Sequence, residues 1–140
     1  MASSSEQSLH LWRSRVIDGF ARAESAIDQL LRRGNLPAKG DLLSAKVERL
    51  RKVKSPPGWS DERKGKLDLA LVELAVLLPL RNDLVHAPMV VRMDGEHAVA
   101  CFANPNSHCE FSRISRELPA TRFQALEGKV RSLAKTLESA

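Results

Sequence analysis

Along residues 6–33, apolar side chains recur at three- and four-residue spacing. Leu9, Trp12, Val16, Phe20, Ile27, Leu30 and Leu31 thereby fall on one face of a single long helix. Gly34-Asn35 ends it, and Arg32 and Arg33 occupy the last turn, where cations favour the helix dipole. After a short connection marked by Pro37 and Gly40, Asp41 reads as the cap of a second helix reaching about Val53. Its inward positions are Leu42, Leu43, Val47, Leu50 and Val53, and Ser55-Pro56-Pro57-Gly58 stops it. Ser60 then caps a third helix with Asp61 and Glu62 in the first turn. This helix carries Leu67, Leu71, Leu74, Leu77 and Leu78 and is apolar on several sides, which predicts a central position. Pro79 removes one backbone donor and is expected to kink the helix without ending it; Ala87-Pro88 closes the element.

The character of the chain then changes. Residues 89–93 and 97–102 flank Asp94-Gly95, a strong hairpin signal, and a third short strand around residues 109–114 is expected after an Asn104-Pro105 turn. Pro119 suits the first turn of a last helix whose inward residues are Phe123, Leu126, Val130, Leu133 and Leu137. The expected class is mainly α: an antiparallel bundle of about four long helices, the third kinked, with a small β hairpin inserted before the last helix. Residues 1–5 read as a disordered tip and 6–140 as a single domain, with no internal repeat. Gly19, Gly65 and Gly128 fall inside predicted helices, where each marks either a tolerated cost or a close helix approach.

Composition narrows the class. With 43% hydrophobic and 28% charged residues, the 140-residue chain is ordinary for a globular fold and unlike a disordered one. Two cysteines cannot staple a secreted scaffold, and the first residues lack a signal-peptide pattern, so a reducing cytoplasm is the expected location. The most apolar stretch, residues 67–80, is interrupted by Asp68, Glu73 and Pro79 and falls short of the roughly 20 residues a membrane span needs. Six aromatic residues are too few for a base-stacking platform. The net charge of +5 is concentrated in residues 32–54, which hold eight basic and two acidic side chains. There Arg49, Arg51, Lys52 and Lys54 are candidate RNA contacts, each able to add a salt-dependent phosphate term. The same run also reads as a solvated helix face.

One segment carries chemistry: Arg81-Asn82-Asp83-Leu84-Val85-His86, at the end of the third helix. Arginine forks onto phosphate oxygens and histidine exchanges a proton near neutral pH. With a polar neighbour, these are the parts of a metal-free phosphodiester cleavage, which needs a base, an acid and a cation. The segment resembles the Arg-Asn-x-x-x-His signature of the HEPN superfamily. The long apolar helix before it, the hairpin after it and the closing amphipathic helix agree with that resemblance.

The resemblance implies a ribonuclease in which Arg81 holds the scissile phosphate, Asn82 orients the site and His86 acts as general base or acid. It needs no cofactor and no metal, and products end in 2′,3′-cyclic phosphate. On an ideal helix Arg81 and His86 lie about 140° apart, and Asn82 and His86 only about 40°. A kink at Pro79, fraying before Pro88, or a second copy could bring the first two together. HEPN-like ribonucleases dimerise, so the resemblance implies a homodimer with a composite site. It also implies a toxin or defence role, with an antitoxin or nucleotidyltransferase as a further partner, or a non-catalytic regulator that keeps the motif. A purely structural account has His86 capping the helix and Arg81 pairing with Glu73 or Asp83. A zinc site from His97, Cys101, His108 and Cys109 lacks a Cys-x-x-Cys pair, and no glycine-rich phosphate loop occurs.

Overall fold

In the computed structural model, which describes residues 4–37, 42–54, 59–108 and 113–140, local chemistry sets most element ends. Helix α1 (Ser4–Arg33) begins two residues earlier than the periodicity suggests. It closes in a Schellman motif: Leu36 N–H donates to Leu31 C=O at 2.8 Å and Asn35 N–H to Arg32 C=O at 3.0 Å. Asn35 takes the left-handed position at φ 57°, so the asparagine and not Gly34 makes the turn.

Helix α2 (Leu43–Lys52) has Leu42 at its N-cap, with extended backbone and no side-chain cap. Leu42 therefore precedes the helical face it was expected to join, and its side chain is exposed. The expected cap, Asp41, lies outside the described residues. Helix α3 (Asp61–His86) starts as its sequence dictates: Ser60 Oγ accepts from Arg63 N–H at 3.1 Å.

Strands β1 (Met89–Asp94), β2 (His97–His108) and β3 (Arg113–Pro119) form an antiparallel sheet in the order β1-β2-β3, before helix α4 (Ala120–Glu138). Asp94 pairs with His97, leaving a two-residue Gly95-Glu96 turn with φ 65° at Gly95, a conformation glycine adopts without strain. The expected Asn104-Pro105 turn is absent: β2 runs on to His108, with a register irregularity between Ala103 and His108. A strand that keeps one neighbour through a bulge tolerates a proline there. Pro119 pairs with Val99 as the last residue of edge strand β3, and α4 begins one residue later. The described residues are thus mainly helical, with four helices and a three-stranded sheet before the last. Among the described residues no helix is long and apolar enough to cross a membrane.

The chain divides into two compact units, and the division cuts α1, α3 and α4. The first comprises Met1–Asp18 and Pro79–Lys129. Alternate residues of β2, Ala98, Ala100 and Phe102, point into its core, where Phe102 meets Phe123 edge-on with ring centroids 6.2 Å apart. Leu9, Val16, Leu80 and Leu84 complete that core.

The second unit comprises Gly19–Leu78 and Val130–Ala140. Phe20, Ile27, Leu31, Val47, Leu71, Leu74 and Leu137 are fully buried in it. Here α1 and α4 approach closely, since a Cβ on Gly19 would stand 2.7 Å from Val130 Cγ1. Gly65 and Gly128 face open space, so theirs is the tolerated cost. One of the apolar sides of α3 faces outward, which its expected central position did not anticipate: Leu69, Val72 and Val76 are exposed, Val76 by 72%.

Candidate functional site

The first unit holds the end of α3, and the motif sits on it in regular helical geometry. Helix α3 runs through His86, and Ala87 N–H continues the ladder to Asp83 C=O at 2.9 Å. Fraying before Pro88 therefore does not occur. Asn82 and His86, one turn apart, are both exposed, whereas Arg81 is half-buried and about 140° round the helix from His86. Asn82 and His86 thus share a face that Arg81 does not.

Two cations that the sequence did not single out organise this helix end. Arg13 of α1 donates from Nε (3.1 Å) and Nη2 (2.7 Å) to Leu84 C=O, and from Nη2 to Ala87 C=O at 3.0 Å. Its guanidinium also lies over the Phe102 ring, 5.8 Å from the centroid. Carbonyls left without partners at a helix end are thereby satisfied by Arg13, not by His86. Asp83 is buried, and its carboxylate accepts from Arg116 Nε of β3 at 2.8 Å. That ion pair ties the sheet to the helix end and engages Asp83, one of the two acids expected as partners for Arg81. Arg81, Asn82 and His86 make no hydrogen bond or ion pair with any described residue.

Sequence held one clue to this arrangement. An aspartate in the last turn of a helix opposes the dipole, so Asp83 required a cation from elsewhere. Nothing marks Arg13, which reads as an ordinary polar position of an amphipathic helix.

The basic stretch lies on the second unit, and part of its charge is committed internally. Lys46 is buried, with Asp28 Oδ1 at 2.8 Å and Glu24 Oε1 at 3.4 Å. Contact with Asp28, and then Glu24, raises its pKa above the ordinary value, against the opposing effect of burial. Of the candidate RNA contacts, Arg49 donates to Pro37 C=O and Arg51 pairs with Glu48 at 2.7 Å. Lys52 and Lys54 are exposed and make no contact of that kind with a described residue.

Of the weak zinc candidates, Cys109 and the side chain of His108 lie outside the described residues. His97 and Cys101 share one sheet face. Glu117, opposite Cys101, is committed to Arg92, whose guanidinium holds the carboxyl below its usual range. Among the described residues no three His, Cys, Asp or Glu side chains converge.

Comparison of the chain with protein-family models, with curated proteins and with solved structures finds no match.

Proposed function

We propose that the chain is a HEPN-type, metal-independent endoribonuclease that acts as a homodimer, with the four helices forming an antiparallel bundle and α3 bent at Pro79. The observation that carries this reading is the release of Arg81, Asn82 and His86 from structural duty. Arg13 caps the helix and Arg116 neutralises Asp83, so among the described residues nothing engages the three motif side chains, which suits them to a ligand. In the reaction a ribose 2′-hydroxyl attacks the adjacent phosphorus as His86 of one copy accepts its proton. The bond from phosphorus to the 5′ oxygen breaks, and the leaving oxygen takes a proton from water, which the imidazolium of the same His86 then restores. Arg81 neutralises the phosphate as charge builds on its oxygens, and Asn82 orients it. Lys52 and Lys54 add affinity that falls with salt.

Two features support a second copy. A regular helix to His86 cannot by itself aim Arg81 and His86 at one phosphate. The same helix leaves Leu69, Val72 and Val76 exposed at helical spacing, an apolar stripe of the kind that interfaces cover. The test is cleavage of single-stranded RNA in chelator, with end-group analysis for 2′,3′-cyclic phosphate. His86→Ala and Arg81→Ala should each abolish it, and unchanged cleavage by either variant defeats the assignment.

The stripe also favours a second reading, a non-catalytic module bound to an antitoxin, a nucleotidyltransferase or another regulator. That reading predicts no cleavage, and a stable complex with such a partner that Val76→Lys disrupts and Arg81→Ala does not.

A further inference from the structure

The second unit contains a cavity of about 310 Å³ beside the C-terminal end of α1, which the proposed reaction does not use. Leu30 of α1, Leu36 just beyond its cap, Leu50 of α2, and Val53 and Trp59 from the connection to α3 wall it. Leu30 and Leu50 belong to the core, whereas Leu36, Val53 and Trp59 remain half-buried. Arg63 lies 3.9 Å over the Trp59 ring, a cation–π contact that holds the indole in place as a wall.

The side-chain charge at the cavity is of one sign among the described residues. Arg33 is the charged residue among the described lining residues, and no carboxylate accompanies it. It is exposed and spends one N–H on Ala140 O, at a long 3.3 Å. The backbone N–H groups of Gly34, Asn35 and Leu36 are consumed by the α1 cap, so they offer a ligand nothing. Trp59 makes no hydrogen bond with a described residue, which leaves its indole N–H as a second donor. Among the described residues, the side-chain polar groups open to a ligand here are therefore donors: the remaining Arg33 N–H groups and the Trp59 indole N–H, the first permanently cationic.

We propose that this cavity binds a small amphipathic anion. An aromatic or short aliphatic body lies against Leu30, Leu36, Leu50, Val53 and Trp59, and a carboxylate, sulfonate or phosphate pairs with Arg33. A volume at the lower end of ligand pockets matches a fragment-sized body and excludes a phospholipid or a polymer segment. Guanidinium donors fork onto such anions, which fixes which end of the ligand faces solvent.

The experiment titrates the intact protein with two fluorescent dyes that share a ring system, the anionic anilinonaphthalene sulfonate and the neutral phenylnaphthylamine. One saturable site is expected, with the sulfonate bound more tightly. Arg33→Ala, a change at an exposed position, should weaken the sulfonate about tenfold and leave the neutral dye unchanged. Val53→Trp and Leu36→Trp, each checked for native helicity and melting, should fill the cavity and remove both dyes. Three outcomes overturn the proposal. They are no saturable site, unchanged binding in both tryptophan variants, or an advantage of the sulfonate that survives Arg33→Ala.

Discussion

Arg13 is a residue whose weight comes from geometry alone. Its fork meets carbonyls of two residues three apart at the end of α3, while its flat face covers Phe102. Removing it leaves partly buried carbonyls without donors, so Arg13→Ala should lower stability by about 1–3 kcal/mol in chemical denaturation. Arg13→Lys should recover little, since one ammonium on a flexible stem cannot reproduce the fork or the stacking. A loss below about 0.5 kcal/mol for Arg13→Ala would show the cap to be redundant.

Lys46 offers a pH test at the same scale. Its folded pKa is raised above the ordinary value of 10.5, so folding favours the protonated form. The stabilisation is complete below the unfolded pKa and is lost as pH rises through the folded one. Lys46→Met should melt lower than wild type at about pH 9, and the gap should narrow as pH rises beyond the ordinary lysine value of 10.5. A gap that stays constant across that window would mean that packing, not charge, holds Lys46.

At the scale of elements, glycines inside helices separate two effects that look identical in sequence. Gly65→Ala and Gly128→Ala add a methyl to open space and should stabilise by about 0.5–1 kcal/mol each, through helix propensity. Gly19→Ala places its methyl 2.7 Å from Val130 Cγ1 and should destabilise by about 1–3 kcal/mol, because the buried Val130 side chain or the helix that carries it must shift. Thermal melts of the three variants decide it, and a Gly19→Ala protein as stable as wild type would refute the close approach.

Here the reach of the sequence is visible. Apolar periodicity and the caps at Gly34-Asn35 and Ser60 located the long helices, and Asp94-Gly95 located the hairpin, because those signals act within a few residues. Asn104-Pro105 misled because a proline breaks a strand only where its missing N–H is needed, and that depends on the neighbour. The exposed face of α3 was hidden for a similar reason: Leu69 and Leu71 are chemically alike, and only tertiary packing separates them. Arg81, Asn82 and His86 were legible as a motif. Their lack of partners among the described residues was not, since it depends on Arg13 and Arg116 arriving from distant segments.

At the scale of the whole molecule, the regular end of α3 turns a question of catalysis into one of stoichiometry. If one phosphate needs Arg81 and His86, and one helix presents them about 140° apart, then each site draws the arginine from one copy and the histidine from the other. Arg81→Ala and His86→Ala proteins would each be inactive alone. Mixed after reversible dissociation, half of the dimers would be mixed, and in those one of the two sites would regain both wild-type residues. Activity should therefore return to about a quarter of the wild-type level. A site supplied entirely by one copy would leave the mixture inactive, as would a cleft that requires both histidines. The mixture also distinguishes cleavage by this chain from a contaminating nuclease, whose activity would not depend on combining two dead variants. Adding Val76→Lys to both chains should remove the recovery if the exposed stripe of α3 joins the copies. Recovery that persists would assign the interface to another face and leave the composite site standing.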